Sequence, residues 1–93
     1  MTRESSIETY LRKRVRDAGG LCIKLVPAGY VGIPDRLVLL PGGRVVFVEC
    51  KKPRGGVVAP MQERWRDRLL DMGMPHRFVF TREDVDEMME TFV

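Results

Sequence analysis

The stretch GIPDRLVLLPGGRVVFVECKK, Gly32 to Lys52, decides how the rest of the chain is arranged. Two apolar runs, RLVLL and RVVFVEC, flank Pro41-Gly42-Gly43, the signature of two antiparallel strands joined by a tight turn. An acid, Asp35, stands at the entry of the first run. Another, Glu49, stands near the exit of the second, with Lys51 two residues beyond it. Strand side chains alternate between faces, so Glu49 and Lys51 share a face with Phe47, while Val46, Val48 and Cys50 point the other way. If Leu40 pairs with Arg44 across a three-residue loop, stepping back along both strands sets Asp35 opposite Glu49. Directly opposed residues have Cβ atoms about 4.5–5.5 Å apart. Two carboxylates so placed repel each other unless a hard cation binds both. A register one residue longer would set Asp35 opposite Cys50 and separate the acids. The bland readings are a turn acid beside Arg36 and an exposed Glu49–Lys51 pair at a strand end.

Working outward, SSIETYLRKRVRDAGG has the spacing of a helix, with Ile7, Tyr10, Leu11, Val15 and Ala18 on one side and Gly19-Gly20 as its stop. Ser5 and Glu8 have the spacing of a capping box. Leu21 to Val26 is a short β-rich run, and PAGYVGIP is a loop. Beyond the hairpin, KPRGGVVA is a basic loop, and PMQERWRDRLLDMG is a second helix with Pro60 in its first turn and Gly73 at its end. Its apolar stripe is Met61, Trp65, Leu69 and Met72. His76 to Phe80 is a fourth strand. Thr81 caps a last helix whose Val85, Met88, Met89 and Phe92 face inward. The order α-β-β-β-α-β-α predicts an α/β fold, a mixed central sheet flanked by helices.

The 93 residues are the length of one domain, here taken as 1–93. An apolar share of 44% argues against disorder, and a core this small makes an oligomer a reasonable expectation. A net charge of +3 is compatible with a phosphate-bearing partner. No apolar run reaches membrane-spanning length and no signal-peptide segment stands at the start, so the chain is expected to be soluble and intracellular, in the cytoplasm or with DNA in a nucleoid or nucleus. Cys22 and Cys50 lie in apolar runs outside any Cys-x-x-Cys pair, which predicts reduced core thiols rather than a zinc site.

Pro34-Asp35 followed fourteen positions later by Glu49-Cys50-Lys51 resembles the PD-(D/E)xK motif of the restriction-endonuclease-like nucleases. GIPDRL, then GGRVVFVECKKPRGG, then a glutamine in the following helix is similar to the VRR-NUC family in particular, over roughly Ser5 to Phe80. The resemblance implies a restriction-endonuclease-like core in which Asp35, Glu49 and the backbone carbonyl of Cys50 ligate Mg²⁺ or Mn²⁺. It implies that Lys51 acts on the attacking water and the phosphate. It adds Glu8, reaching the metal directly or through water, and Gln62, positioning Lys51 or a water. The cationic residues Lys24, Arg36, Lys52 and Arg54, with Tyr30, are candidates for holding DNA.

The implied activity is metal-dependent hydrolysis of DNA phosphodiesters by an endonuclease. Stand-alone members of the family look like homodimers that cut four-way (Holliday) junctions, so branched DNA and a second copy are the expected partners. Met88, Met89 and Phe92, with apolar residues of the second helix, are candidate dimer contacts. The rival expectation is a nucleic-acid-binding module of the same fold without catalysis, or one targeted by a partner.

Overall fold

In the computed structural model, residues 4–26 and 29–92 are described, apart from the side chains of Glu4 and Ser5. The elements are α1 (Glu4–Asp17), β1 (Leu21–Lys24), β2 (Arg36–Leu40), β3 (Arg44–Cys50), α2 (Pro60–Asp71), β4 (His76–Val79) and α3 (Arg82–Phe92). They form one sheet in the order β1-β2-β3-β4. The first three strands are antiparallel, and β4 runs parallel to β3. A parallel neighbour cannot be reached by a tight turn, so α2 serves as the crossover between β3 and β4. The expected mixed α/β architecture is therefore the one found.

The turn at Pro41-Gly42-Gly43 sets the register. Gly42 and Gly43 both have positive φ, 88° and 77°, which lets three residues reverse the chain. Leu40 then pairs with Arg44, and the ladder runs back to Arg36 opposite Val48. Parity divides the side chains between two faces. Val38, Leu40, Val46, Val48, Cys50 and Val79 form one face, against which Ile7, Leu11 and Val15 of α1 and Val85, Met88 and Met89 of α3 pack to make the core. On the other face α2 lies against β4, burying Leu69.

Local sequence explains most of the helix boundaries. Thr81 caps α3 as expected, its Oγ1 accepting the Asp84 N–H at 3.1 Å. The Asp84 carboxylate returns the favour to the N–H groups of Phe80 and Thr81, a reciprocal box with Asp in place of Glu. Ser5 lies inside α1 rather than before it, so Ser5 and Glu8 are not the box their spacing suggested. Its side chain lies outside those described. β1 ends at Lys24, short of Val26, although the Leu25 N–H still donates to the Asp35 carbonyl at 2.8 Å. Tyr10 donates to Asp86 at 2.6 Å, and Arg14 pairs with the same carboxylate, tying α1 to α3.

Two expectations about packing change. Met88 and Met89, taken as candidate dimer contacts, are 0% and 2% exposed in the chain's own core, because both fall on the α3 stripe that faces the sheet. Trp65, read as core, is only half-buried. Cys22 and Cys50 are free thiols, as expected.

His76 is buried against the edge of Phe78, and among the described residues neither ring nitrogen has a hydrogen-bond partner. Burial, reinforced by Arg66 and Arg77, pushes its pKa down from the usual 6.5 to about 4. The folded chain thus holds the neutral ring, whereas the unfolded chain takes up a proton near the ordinary value. His76 contributes its full stability above about pH 6.5, and that contribution is lost as pH falls toward about 4. Over that interval the wild-type unfolding free energy should drop by about 2–3 kcal/mol more than that of His76→Leu, measured by urea titration at each pH.

Candidate active site

The acids come together because the hairpin holds its register to the end. The pair beyond Arg36 and Val48 is Asp35 and Glu49, which lie at the same end of the sheet. Asp35 Oδ1 accepts the Cys50 N–H at 3.4 Å, a long bond that nonetheless fixes the Asp35 carboxylate beside the β3 exit. Glu49 is 6% exposed and lies opposite Phe78 of β4. The Lys51 N–H donates to the Val79 carbonyl at 2.8 Å. That bond carries the β3–β4 ladder one residue past the strand, so Lys51 leaves the sheet from a fixed backbone on the face of Glu49. Asp35, Glu49 and Lys51 are thus held by backbone pairing rather than by loop packing.

The Cys50 side chain points into the core with 0% exposure. Burial, then the carboxylates of Asp35 and Glu8, push its thiol well above the ordinary range. The thiol is inert, and the residue's contribution to the site is its backbone. Cys22, half-buried, is raised chiefly by burial as well.

The outlying residues are placed differently. Glu8 on α1 accepts a hydrogen bond from Arg36 Nη2 at 3.1 Å. Arg36 is 7% exposed, which corrects its reading as a DNA contact. It occupies the same face as Val38 and Leu40, so its side chain is directed under α1 instead of toward the open surface. Lys24 pairs with Arg36 across β1–β2. By parity it lies on the α1 face, not on the face of Glu49 and Lys51. Gln62 is half-buried, and its Oε1 accepts the Ala59 N–H at 2.9 Å. It therefore caps the first turn of α2, which no non-polar Ala59 side chain can do. Lys52 and Arg54 are exposed at the turn after the motif, as is Tyr30 in the loop before it.

Sequence reading missed what fastens that earlier loop. Trp65 Nε1 donates to the Val31 carbonyl at 3.0 Å, and Tyr30 meets the Trp65 ring edge-on at 5.8 Å. Gly32 lies against Met61, where a Cβ would come within 2.7 Å of the Met61 Cβ and 2.9 Å of its carbonyl carbon. The available signal was the apolar stripe of α2, which is directed at this loop as well as at the sheet.

The donor set fits a hard divalent ion. It offers two carboxylates and a backbone carbonyl, all oxygen, and such ions accept one or two carboxylates while retaining water. Among the described residues no group of three or more His, Cys, Asp or Glu side chains converges as metal ligands, and Glu8 is turned to Arg36.

Comparison with known proteins agrees with this geometry. No family model matches the chain. A solved structure described as a VRR_NUC domain superposes with a TM-score of 0.91 at 34% identity, covering 100% of both chains. The protein named "Putative nuclease p44" of Acyrthosiphon pisum secondary endosymbiont phage 1 is 48% identical over 73 residues, covering 78% of this chain and 77% of its own. The chain belongs to the VRR-NUC family of nucleases. In this VRR-NUC nuclease Pro34-Asp35 and Glu49-Cys50-Lys51 stand at the same end of β2 and β3.

Gly32 has φ of 89° and no room for a side chain. Gly32→Ala should destabilise the chain by about 1–3 kcal/mol and shift the fluorescence of Trp65, the single tryptophan, as the loop lifts from α2. Gly29→Ala is the control. It has φ of 82° but nothing within 4 Å of its Cβ, so it should lower stability less and leave the fluorescence unchanged.

Proposed function

We propose that this VRR-NUC nuclease is a metal-dependent DNA endonuclease, using Mg²⁺ or Mn²⁺, that acts as a homodimer on four-way junctions. The observation that carries the catalytic reading is the placement of Asp35 beside Glu49, with Lys51 fixed on the Glu49 face by its ladder bond to Val79. A divalent ion bound there supplies a water of lowered pKa and polarises the phosphoryl oxygens. The chain's own residues do the rest. Asp35 and Glu49 hold the ion through oxygen donors, with the Cys50 carbonyl as a third. Lys51 presents an ammonium to the water and to the phosphate oxygens that gain charge in the transition state. Gln62 positions the start of α2 beside the site. Lys52 and Arg54 grip backbone phosphates, which orients DNA without reading its sequence. Tyr30 offers an exposed ring to a sugar or base. Such an enzyme acts where intracellular DNA is, and no helix among the described residues is long and apolar enough to cross a membrane.

The dimer reading draws on a surface other than the buried methionines. Leu21 and Ile23 of β1 are 63% and 40% exposed. They pair with Leu39 and Leu37 on the sheet face that carries α2. Leu70 and Met72 at the end of α2 are also exposed. Apolar surface of this kind supports a two-fold contact, and two sites at a fixed separation suit a junction with two symmetric scissile strands.

Glu49→Gln should abolish most Mn²⁺ binding by isothermal titration, with Ca²⁺ supporting DNA binding but little cleavage by the wild type. Lys51→Ala should lower single-turnover cleavage by about 10²–10³-fold while leaving DNA affinity nearly unchanged, since one cation among many phosphate contacts adds little to binding. Near-normal turnover would move the role to another lysine.

For assembly and substrate, light scattering should find a dimer, and labelled four-way DNA should be nicked in opposed strands faster than linear duplex. Ile23→Glu should yield a folded monomer that has lost the junction preference. A wild-type monomer, free and DNA-bound, or equal cutting of linear and branched DNA, would remove this part of the reading and leave the nuclease.

A further inference from the structure

We propose that Arg36 is a built-in counter-cation of the candidate metal site. In the metal-free chain it holds Glu8 and offsets the local negative charge, and by standing there it lowers the affinity of the site for a divalent ion. The proposal rests on the metal-site reading of Asp35 and Glu49 and adds a means by which that site is tuned.

Arg36 follows Asp35 directly in the chain and is buried to 7% exposure on the face that otherwise carries Val38 and Leu40. A guanidinium is an expensive occupant of such a row. Its Nη2 makes one hydrogen bond, to Glu8 Oε2, and its Nε is buried with no partner among the described residues. A buried ion pair roughly breaks even against an apolar side chain of similar volume, so fold stability alone does not account for a charge here. The carboxylates around it do. Asp35 Oδ1 accepts the Cys50 N–H at 3.4 Å, and Arg36, next to Asp35 in the chain, holds Glu8 at 3.1 Å. Asp35, Arg36 and Glu8 therefore stand together at the entry of β2, with Glu49 next to Cys50 along β3. Without Arg36, the Glu8 carboxylate would lose the cation that holds it.

A divalent ion between Asp35 and Glu49 would meet Arg36 as a fixed like charge. At an effective dielectric of about 20, a unit charge within roughly 10 Å changes the affinity of a divalent ion tenfold or more, and salt and side-chain rearrangement reduce that figure. The low exposure of Arg36 keeps solvent from cancelling the effect.

The test uses two substitutions and two readouts that do not involve turnover. Arg36→Gln removes the charge but keeps an amide able to donate to Glu8, and Arg36→Lys keeps the charge and loses the planar fork. Mn²⁺ is titrated calorimetrically at low ionic strength, and melting is followed with and without Mn²⁺. Arg36→Gln should bind Mn²⁺ about fivefold tighter or better than the wild type. It should melt lower than wild type without metal and gain more from added Mn²⁺. Arg36→Lys should stay within about twofold of wild-type affinity, because the charge rather than the guanidinium shape carries the effect. Unchanged or weaker Mn²⁺ binding by Arg36→Gln, or an equal change in both variants, would overturn the proposal. Glu49→Gln separates the two levels. If that variant loses Mn²⁺ binding while Arg36→Gln leaves it unchanged, only the counter-cation role falls. If Glu49→Gln binds Mn²⁺ normally, the metal site itself lies elsewhere and the proposal falls with it.

Discussion

Everything at the candidate site depends on the register of one hairpin. The turn at Pro41-Gly42-Gly43 makes Leu40 face Arg44, and four further steps bring Arg36 opposite Val48. The next residues out are Asp35 and Glu49. A one-residue slip would move Glu49 away from Asp35, and it would also turn Val46 and Val48 out of the core and Phe47 into it. Core burial and site geometry are thus enforced by the same alternation. The hydrophobic face of β2 and β3 holds the carboxylates in place with backbone hydrogen bonds, which neither bend nor re-orient as loops do.

Alternation also explains why neighbours in sequence act on opposite sides of the sheet. Asp35 and Arg36 are adjacent, yet Asp35 lies with Glu49 while Arg36 reaches under α1 to Glu8. Glu49 and Cys50 are adjacent, yet one offers a carboxylate at the sheet's end and the other a thiol sealed in the core. The motif is therefore spread across both layers of the fold. α1 and α3 anchor its buried half. The second half is left on the side where α2 packs against β4.

The parallel β3–β4 pair completes the arrangement. Because β4 runs beside β3 to its last residue, the Lys51 N–H finds a partner in the Val79 carbonyl and the lysine leaves the sheet from a defined point. The crossover that makes the pair possible is α2, and the same helix grips the loop before Asp35 through Trp65 and Met61. One element thereby supports both the segment that enters the site and the strand that fixes its exit.

Sequence alone determined the elements, their order and the hairpin, and it offered two registers, of which the structure has the one that sets Asp35 by Glu49. These are local properties, carried by period-two alternation, a turn of three specific residues and the helical stripes of Leu11, Val15, Met88 and Met89. The burial of Cys50 followed from the same parity. Only the tertiary structure decided which helix meets which face, and so the partners of residues outside the hairpin. Arg36 looks in sequence like any surface cation beside an acid, and its pairing with Glu8 arises only because α1 lies across β2. Lys24 reads as one more candidate DNA cation, and its pairing with Arg36 sets it on the face away from Glu49. Gln62 reads as a site residue, and its carbonyl oxygen caps α2. Met88 and Met89 have the same spacing whether they meet a second subunit or their own sheet. Helical periodicity records that a stripe is covered, but what covers it is a long-range contact that no local pattern encodes.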